Sequence, residues 1–260
     1  MSTLPSHDQT AEPAATTKVP MAAARYFYSG AALGLAALTF WGFESFYLHG
    51  TAPEGEAIRA PIRTLVVVHG VVMTAWMLVF VLQPQLIARR KYTIHMRVGK
   101  IGATLAAIAV VLGSFVAVES ARLNMPDTMT WGLDPRQFLT FTLVPIWMFG
   151  LLVFIAVANR NHPDIHRPMM LTAVLAAMPP PFFRIAPLTA LFIDSLPGRV
   201  FGPFAPVLVV GLVFVMVKWI LYRRFDRWLA IGVGGLAVSS AALMKIATTA
   251  AWENFASVLV

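Results

Sequence analysis

The chain has 260 residues, of which 58% are hydrophobic and only 12% are charged, and its mean hydropathy is +0.72. Soluble domains carry about 25% charged residues, so this composition excludes an ordinary soluble domain. The absence of cysteine excludes disulfides, thiolate metal sites, iron–sulfur ligation and a cysteine nucleophile. Several apolar runs of about 20 residues each predict repeated bilayer crossings instead.

The first 24 residues are polar and rich in Ala, Thr and Pro, which predicts a disordered cytoplasmic tail. Residues 25–260 are expected to form one all-α domain, an integral membrane bundle of seven transmembrane helices. The first helix contains Gly30 and Gly34 at the GxxxG spacing that permits close helix contact. The predicted spans are residues 26–48, 64–86, 98–121, 138–158, a fifth that begins near Pro168, 203–221 and 228–250.

The fifth span is expected to be interrupted, because Pro179, Pro180 and Pro181 follow about eleven residues after Pro168, near the middle of the span. Proline has no amide hydrogen and cannot continue a regular helix. The sequence therefore predicts that this helix is broken or kinked at the three prolines.

The distribution of charge predicts the orientation. With a cytoplasmic N-terminus, the inner segments hold thirteen of the twenty basic residues and four of the twelve acids. The net charge is then +9 inside and −1 outside, which favours an N-in, C-out topology. Because topology accounts for the total of +8, no nucleic-acid partner is expected; the bilayer itself is the predicted partner.

One face of the second predicted helix carries a histidine among aromatic residues. His69, Met73, Trp76, Phe80 and Gln83 follow one another at steps of four and three, which places them on the same side of a helix. Such a histidine could ligate haem iron or relay a proton. The alternative is a bundle-facing stripe in which His69 only hydrogen-bonds to another helix.

Several ionisable residues share the outer half of the membrane with His69: Glu44, Glu119, Arg184 and Lys245. Together with the proline break they could form a polar pocket that opens to the outer face, as in transporters built from interrupted helices. Alternatively, Glu44, Glu119 and Lys245 extend separately to the lipid headgroups.

A second pair of histidines lies at the cytoplasmic ends of two helices. His95 opens the third predicted helix and His166 the fifth, and residues 88–97 align without gaps on residues 159–168. This similarity suggests two related helix pairs. His95 and His166, at equivalent depths, could jointly bind a metal, a haem propionate or an anionic headgroup, or each could be an interfacial anchor.

Other sites are excluded by their missing motifs. The chain has no HExxH, GxSxG, Walker A or dinucleotide fingerprint, and no dedicated metal site is predicted. Two transmembrane bis-histidine haems would need four deep histidines, whereas this chain has one. A single haem on His69 would use His49 or Met73 as its second ligand, or stay five-coordinate.

The motifs HGxxxxxW (69–76), QPQLIARR (83–90), IHMRVGK (94–100) and HRPMMLTA (166–173) resemble a broad group of uncharacterised bacterial multi-pass membrane proteins. In that group a His/Trp helix ends in Gln and basic residues and is followed by a His-Arg-x-x-Gly helix start. Here Met96 separates His95 from Arg97, a departure from that form. A looser likeness to haem-oxidase assembly proteins and b-type cytochromes implies haem handling.

The sequence favours haem or redox-linked work in a bacterial inner membrane, as a haem-binding subunit or an oxidase assembly factor. Haem b would be held by His69, with Trp76 in the pocket and Arg184 paired with a propionate. The protein partner would be a respiratory complex or a second copy of this chain. The alternatives are a small-solute or proton-coupled transporter that uses the outer pocket and a non-catalytic membrane scaffold. No reaction is assigned.

Overall fold

The regular structure of the chain is helical throughout its described part. The computed structural model describes residues 21–52, 55, 57–58, 60–123 and 129–260, and no strand occurs within them. Residues 1–20 of the predicted tail lie outside this part, as do Asn124 to Thr128 of the predicted outer loop. The elements are α1 (Met21–Gly42), α2 (Glu44–His49), α3 (Ala60–Ala88), α4 (Tyr92–Leu123), α5 (Pro135–Ala158), α6 (Pro163–Ala176), α7 (Pro179–Arg184), α8 (Ala186–Phe192), α9 (Leu196–Phe201), a 3₁₀ turn (Gly202–Phe204), α10 (Ala205–Tyr222), α11 (Arg227–Ile246) and α12 (Ala250–Leu259).

Within the described residues, five helical stretches are long and apolar enough to cross a membrane: α3, α4, α5, α9 with α10 (Leu196–Tyr222), and α11. A sixth is added if the bent pair Pro163–Arg184 and Ala186–Phe192 counts as one span. Large apolar side chains point outward along these helices, including Leu78, Phe154 and Val238 at 65%, 69% and 73% exposure. Such an apolar exterior fits contact with lipid rather than water, so the protein is a helical, multi-pass membrane protein.

The small-residue face of α4 sets the packing of the bundle. The buried residues of α4 are all glycine or alanine and recur every three or four positions: Gly102, Ala106, Ala109, Gly113, Ala117 and Ala121. Such residues let helix axes approach closely. Helix α4 therefore packs tightly between α3 and α5, and α5 packs in turn against α6.

The remaining helices close the bundle around this antiparallel group. Helix α1 packs against α3, α7 and α10, and α11 packs against α6 and α10. The core contains fully buried Trp76, Phe149, Leu171, Phe182 and Phe204. The amphipathic C-terminal helix α12 begins where the predicted seventh span ends, was not predicted from the sequence, and lies against α5.

Helix starts follow local capping chemistry. The Asp134 side chain accepts a hydrogen bond from the Gln137 amide at 2.9 Å, and the Gln137 side chain accepts one from the Asp134 amide at 3.3 Å. This capping box, with Pro135 in the first turn, begins α5. Asp226 caps α11 in the same way through the Leu229 amide at 2.9 Å.

The interruption at the prolines has a simple geometry. Helix α6 ends at Ala176, Ala177 and Met178 leave the helix, and Pro179 opens α7. Because the first turn of a helix needs no amide donors, the three prolines fit there and cannot continue α6. The large change of direction, 101°, comes later, at Ile185 between α7 and α8.

The GxxxG pair of α1 is not a helix contact. A Cβ on Gly30 or Gly34 would meet nothing within 4 Å, whereas one on Gly42 would lie 2.2 Å from the Pro181 carbonyl oxygen. The close approach of α1 to the broken span is therefore made at Gly42, where α1 ends.

Gly42→Ala is expected to destabilise the fold by about 1–3 kcal/mol, because its Cβ would collide with backbone rather than with a movable side chain. Gly30→Ala on the same helix is the matched control and should be neutral or stabilising by about 0.5–1 kcal/mol. Thermal unfolding in one detergent measures both variants. Equal midpoints for Gly42→Ala and the wild type would show that this contact is not close.

Candidate functional site

A cavity of about 800 Å³ opens among α3, α4, α5 and α6 at the end of the bundle where α3 and α5 finish and α4 and α6 begin. We call this end the basic end, since its turns carry Arg89, Arg90, Lys91 and Arg160. The volume falls within the roughly 300–1,000 Å³ of small-molecule sites. Tyr28 of α1 also lines it.

The deep part of the cavity is apolar and aromatic. Trp76 is 1% exposed, stacks on Phe80 at 5.7 Å between ring centroids, and meets the edge of Phe149 at 4.7 Å. Val79, Val153 and other apolar side chains complete the walls. This part suits a flat or extended apolar body.

The mouth of the cavity is cationic. Lys100, Arg160 and Arg167 line it and are exposed, and none of the described residues that line the cavity is Asp or Glu. Since no carboxylate neutralises these side chains within the lining, the mouth favours an anionic group.

His166 occupies the first turn of α6, which Pro163 opens, and lines the cavity. Its Nδ1 lies 2.8 Å from the Ala156 carbonyl oxygen at the end of α5. A carbonyl only accepts hydrogen bonds, so in the neutral ring Nδ1 carries the proton and donates it. Nε2 is then free of a proton, as required of a metal ligand or a proton acceptor.

His95 occupies the corresponding first turn of α4 and lines the same cavity. The Gln83 side-chain amide donates to the His95 carbonyl at 3.2 Å. Within the described part of the chain, His95 Nδ1 and Gln83 Oε1 are buried without a hydrogen-bond partner. Such atoms usually bind water or a ligand. The two histidines that the sequence places at equal depth line the same cavity.

His69 lies outside the cavity. It precedes Trp76 by seven residues, about 10 Å along the helix axis, and a Cβ on Gly113 would lie 3.0 Å from its Cε1 atom. Its Nδ1 is buried, with no hydrogen-bond partner among the described residues. The stripe predicted on this helix thus divides: Trp76, Phe80 and Gln83 line the cavity, whereas His69 packs against α4.

The residues predicted to form an outer pocket have separate surroundings. Arg184 donates to the Pro180 carbonyl at 2.7 Å and lies over the rings of Phe43 and Phe183 at 4.8 and 5.0 Å. Glu119 pairs with Arg122 at 2.8 Å near the end of α4. Glu44 and Lys245 are exposed. None of the predicted outer-pocket residues lines the cavity.

A buried ion pair beside the cavity was not predicted from the sequence, where Lys218 and Asp226 were counted only as charges of the inner side. Lys218 of α10 is 7% exposed and donates hydrogen bonds to the Asp226 carboxylate and to the Tyr28 hydroxyl. Its ammonium also lies over the Tyr28 ring at 4.7 Å. An ionisable residue within an apolar helix, with an acid eight residues later, was the available signal.

The described residues contain no group of three or more His, Asp or Glu side chains able to hold a metal ion unaided. Any metal at His95 or His166 would therefore need ligands from a cofactor or from water. Comparisons with protein-family models, curated proteins and solved structures find no match to this chain.

Lys218→Met is expected to destabilise the fold by about 3–5 kcal/mol, because it leaves the Asp226 carboxylate buried without its cation. The double variant Lys218→Met/Asp226→Asn should recover much of this loss, since the introduced asparagine keeps a side-chain oxygen for the Leu229 amide. Thermal unfolding of both variants in one detergent is the measurement. A double variant no more stable than the single one would contradict the pairing.

Proposed function

We propose that this protein is a haem-binding protein of a bacterial inner membrane, acting as a redox-linked subunit or an oxidase assembly factor, with its cofactor in the cavity at the basic end. The observation that carries the proposal is the combination of two histidines, a deep aromatic wall and a cationic, acid-free mouth in one cavity.

The chemistry of b-type haem fits these three features. Haem is a flat apolar ring that carries two propionates and binds nitrogen ligands at its iron. The apolar walls around Trp76 would accept the ring, and Lys100, Arg160 and Arg167 would pair with the propionates in charge-assisted hydrogen bonds. When bound, haem would supply one-electron chemistry.

His166 is the residue that would hold the haem iron. Histidines that bind metals usually donate their second ring N–H to a carbonyl or carboxylate, which fixes the tautomer and the ring orientation. The contact between His166 Nδ1 and the Ala156 carbonyl supplies this arrangement before any ligand is present. His95, which lines the same cavity, is the second candidate ligand.

The position of His69 argues against the ligand first predicted from the sequence. Its seven-residue separation from Trp76 and its packing against Gly113 place it beyond the cavity. Arg184 also lies outside the cavity, so the predicted pairing with a propionate passes to Lys100, Arg160 and Arg167 at the mouth.

A transporter remains the second candidate, favoured by the break between α6 and α7 and the 101° bend that follows. Residues 176–185, which form the break and α7, do not line the cavity. The haem proposal accounts for more of the cavity.

The detergent-purified wild type should show a Soret band when oxidised and sharpened α and β bands after reduction with dithionite. His166→Ala should lose or shift these bands, because it removes the proposed ligand. The controls are exposed His162→Ala, in the turn before α6, and His69→Ala, and both should keep the wild-type spectrum.

Two results would contradict the haem proposal. One is a wild type that absorbs only in the aromatic region even after incubation with haemin. The other is His166→Ala and His95→Ala variants that both keep the full haem content and the wild-type spectrum.

The proposed topology is seven spans, N-in and C-out. Helix α1 would be the first span in the chain and bring the number to seven: its 22 residues extend about 33 Å at about 1.5 Å each, enough for a hydrocarbon core of about 30 Å. The broken span of α6 and α7 would be the fifth. With the excess of Lys and Arg inside, the cavity would open to the cytoplasm.

The natural absence of cysteine allows a clean test of this topology. His162→Cys should be protected from a membrane-impermeant maleimide in intact cells and react after lysis, whereas Thr248→Cys should react in intact cells. Both positions are exposed, so access to solvent is not limiting. The opposite labelling pattern would reverse the orientation.

A further inference from the structure

The buried ion pair beside the cavity reaches it through one group, the hydroxyl of Tyr28. Tyr28 lines the cavity, and its hydroxyl oxygen accepts a hydrogen bond from the Lys218 ammonium. An ammonium only donates, so the direction of this bond is fixed. The hydroxyl hydrogen of Tyr28 is consequently left to donate elsewhere, and the hydrogen bonds of the described residues include no acceptor for it.

The position of Lys218 is in turn fixed by Asp226. One carboxylate oxygen of Asp226 accepts from Lys218, and the other accepts from the Leu229 amide at 2.9 Å as the cap of α11. The Lys218 and Asp226 side chains are 9% and 15% exposed. Lys218 is therefore already neutralised, and what it contributes to the cavity is the orientation of the tyrosine hydroxyl rather than a free positive charge.

We infer that Tyr28 is a hydrogen-bond donor to a carboxylate carried by the molecule that occupies the cavity, and that Lys218 is the positioning residue for this donor. The inference rests in part on the proposed function, in which a haem propionate would be that carboxylate. A fatty acid offers the same chemistry, a carboxylate on an apolar body, and is the second source.

The surroundings of Tyr28 favour a carboxylate over a neutral polar group. Tyr28 shares the cavity with Lys100, Arg160 and Arg167, and no described acid lines it. A hydrogen bond from a phenol to an ionised oxygen is shorter and stronger than one to a neutral acceptor. Apolar surroundings such as the deep walls strengthen each such bond.

The test uses the full-length protein in lipid nanodiscs and two probes, haemin and a dansyl-labelled fatty acid. Tyr28→Phe removes only the hydroxyl and should weaken binding of both probes about tenfold. The matched control is Tyr26→Phe, two residues earlier on α1 and 54% exposed, which should bind as the wild type does. The methyl ester of the fatty acid has no anionic oxygen, so its affinities for the wild type and for Tyr28→Phe should differ far less.

The positioning role of Lys218 is tested by a double-mutant cycle. Lys218→Met should weaken carboxylate binding to a similar degree, and Tyr28→Phe/Lys218→Met should lose no more than either single variant, because both act through one hydroxyl. Additive losses would overturn the positioning role. If Lys218→Met does not fold, Lys218→Arg, which keeps a cationic donor, should bind more tightly than Tyr28→Phe.

The outcomes separate this inference from the haem proposal. If the wild type binds both probes and Tyr28→Phe binds each probe with the same affinity as the wild type, the inference is wrong and the haem proposal stands. If only the fatty acid binds and Tyr28→Phe weakens it, the inference stands and the haem proposal falls. If the wild type binds neither probe, both are wrong.

Discussion

The small-residue face of α4 is the constraint on which the rest of the structure depends. In a bilayer, helices gain little from burying apolar side chains against one another, so they associate through close backbone approach. Six buried glycines and alanines on α4 provide that approach. Val79 of α3 and Ile146 of α5 pack so near Gly102 and Gly113 that a Cβ there would lie 2.9 and 2.6 Å from their side-chain atoms. A larger residue at either glycine would have to displace these side chains.

The same face of α4 also creates the cavity. Toward the basic end, Gly99, Gly102 and Ala103 line it and take up little volume, while the aromatic side chains of α3 close its deep part. Tight packing along most of α4 and open space at its start therefore have one cause, the small size of its side chains. The histidine at the start of α4 and that at the start of α6 meet there because antiparallel neighbours bring the two helix starts to the same end.

How far the sequence predicts the structure differs between its parts. Apolar runs and proline positions locate the helices, because hydrogen bonding within the bilayer leaves helices as the main option. The equal depth of His95 and His166 also follows from their helix starts. The location of the site cannot be predicted from the sequence. The periodicity on α3 groups His69 with Trp76, and only the packing between helices shows that His69 lies outside the cavity. Lys218 was counted only among the charges of the inner side, because its pairing with Asp226 depends on the turn between α10 and α11. The helical period predicts which face of a helix a residue occupies, but it does not predict which residue of another helix lies against it.

The charges at the basic end serve two different physical purposes. Arg89, Arg90, Arg223 and Arg224 are exposed in turns outside the cavity and contribute to the bias toward positive charge at this end, which would face the cytoplasm in the proposed topology. Lys100, Arg160 and Arg167 add to the same bias but also line the cavity. Lys218 differs from both sets, since its charge is cancelled by Asp226 inside the bundle and its hydrogen bonds remain directional. Exposed cations at the mouth can attract an anion, but they do not by themselves fix one orientation. Tyr28 and Lys218 can fix one orientation, because packing on α1 and α10 holds both side chains in place before any ligand arrives.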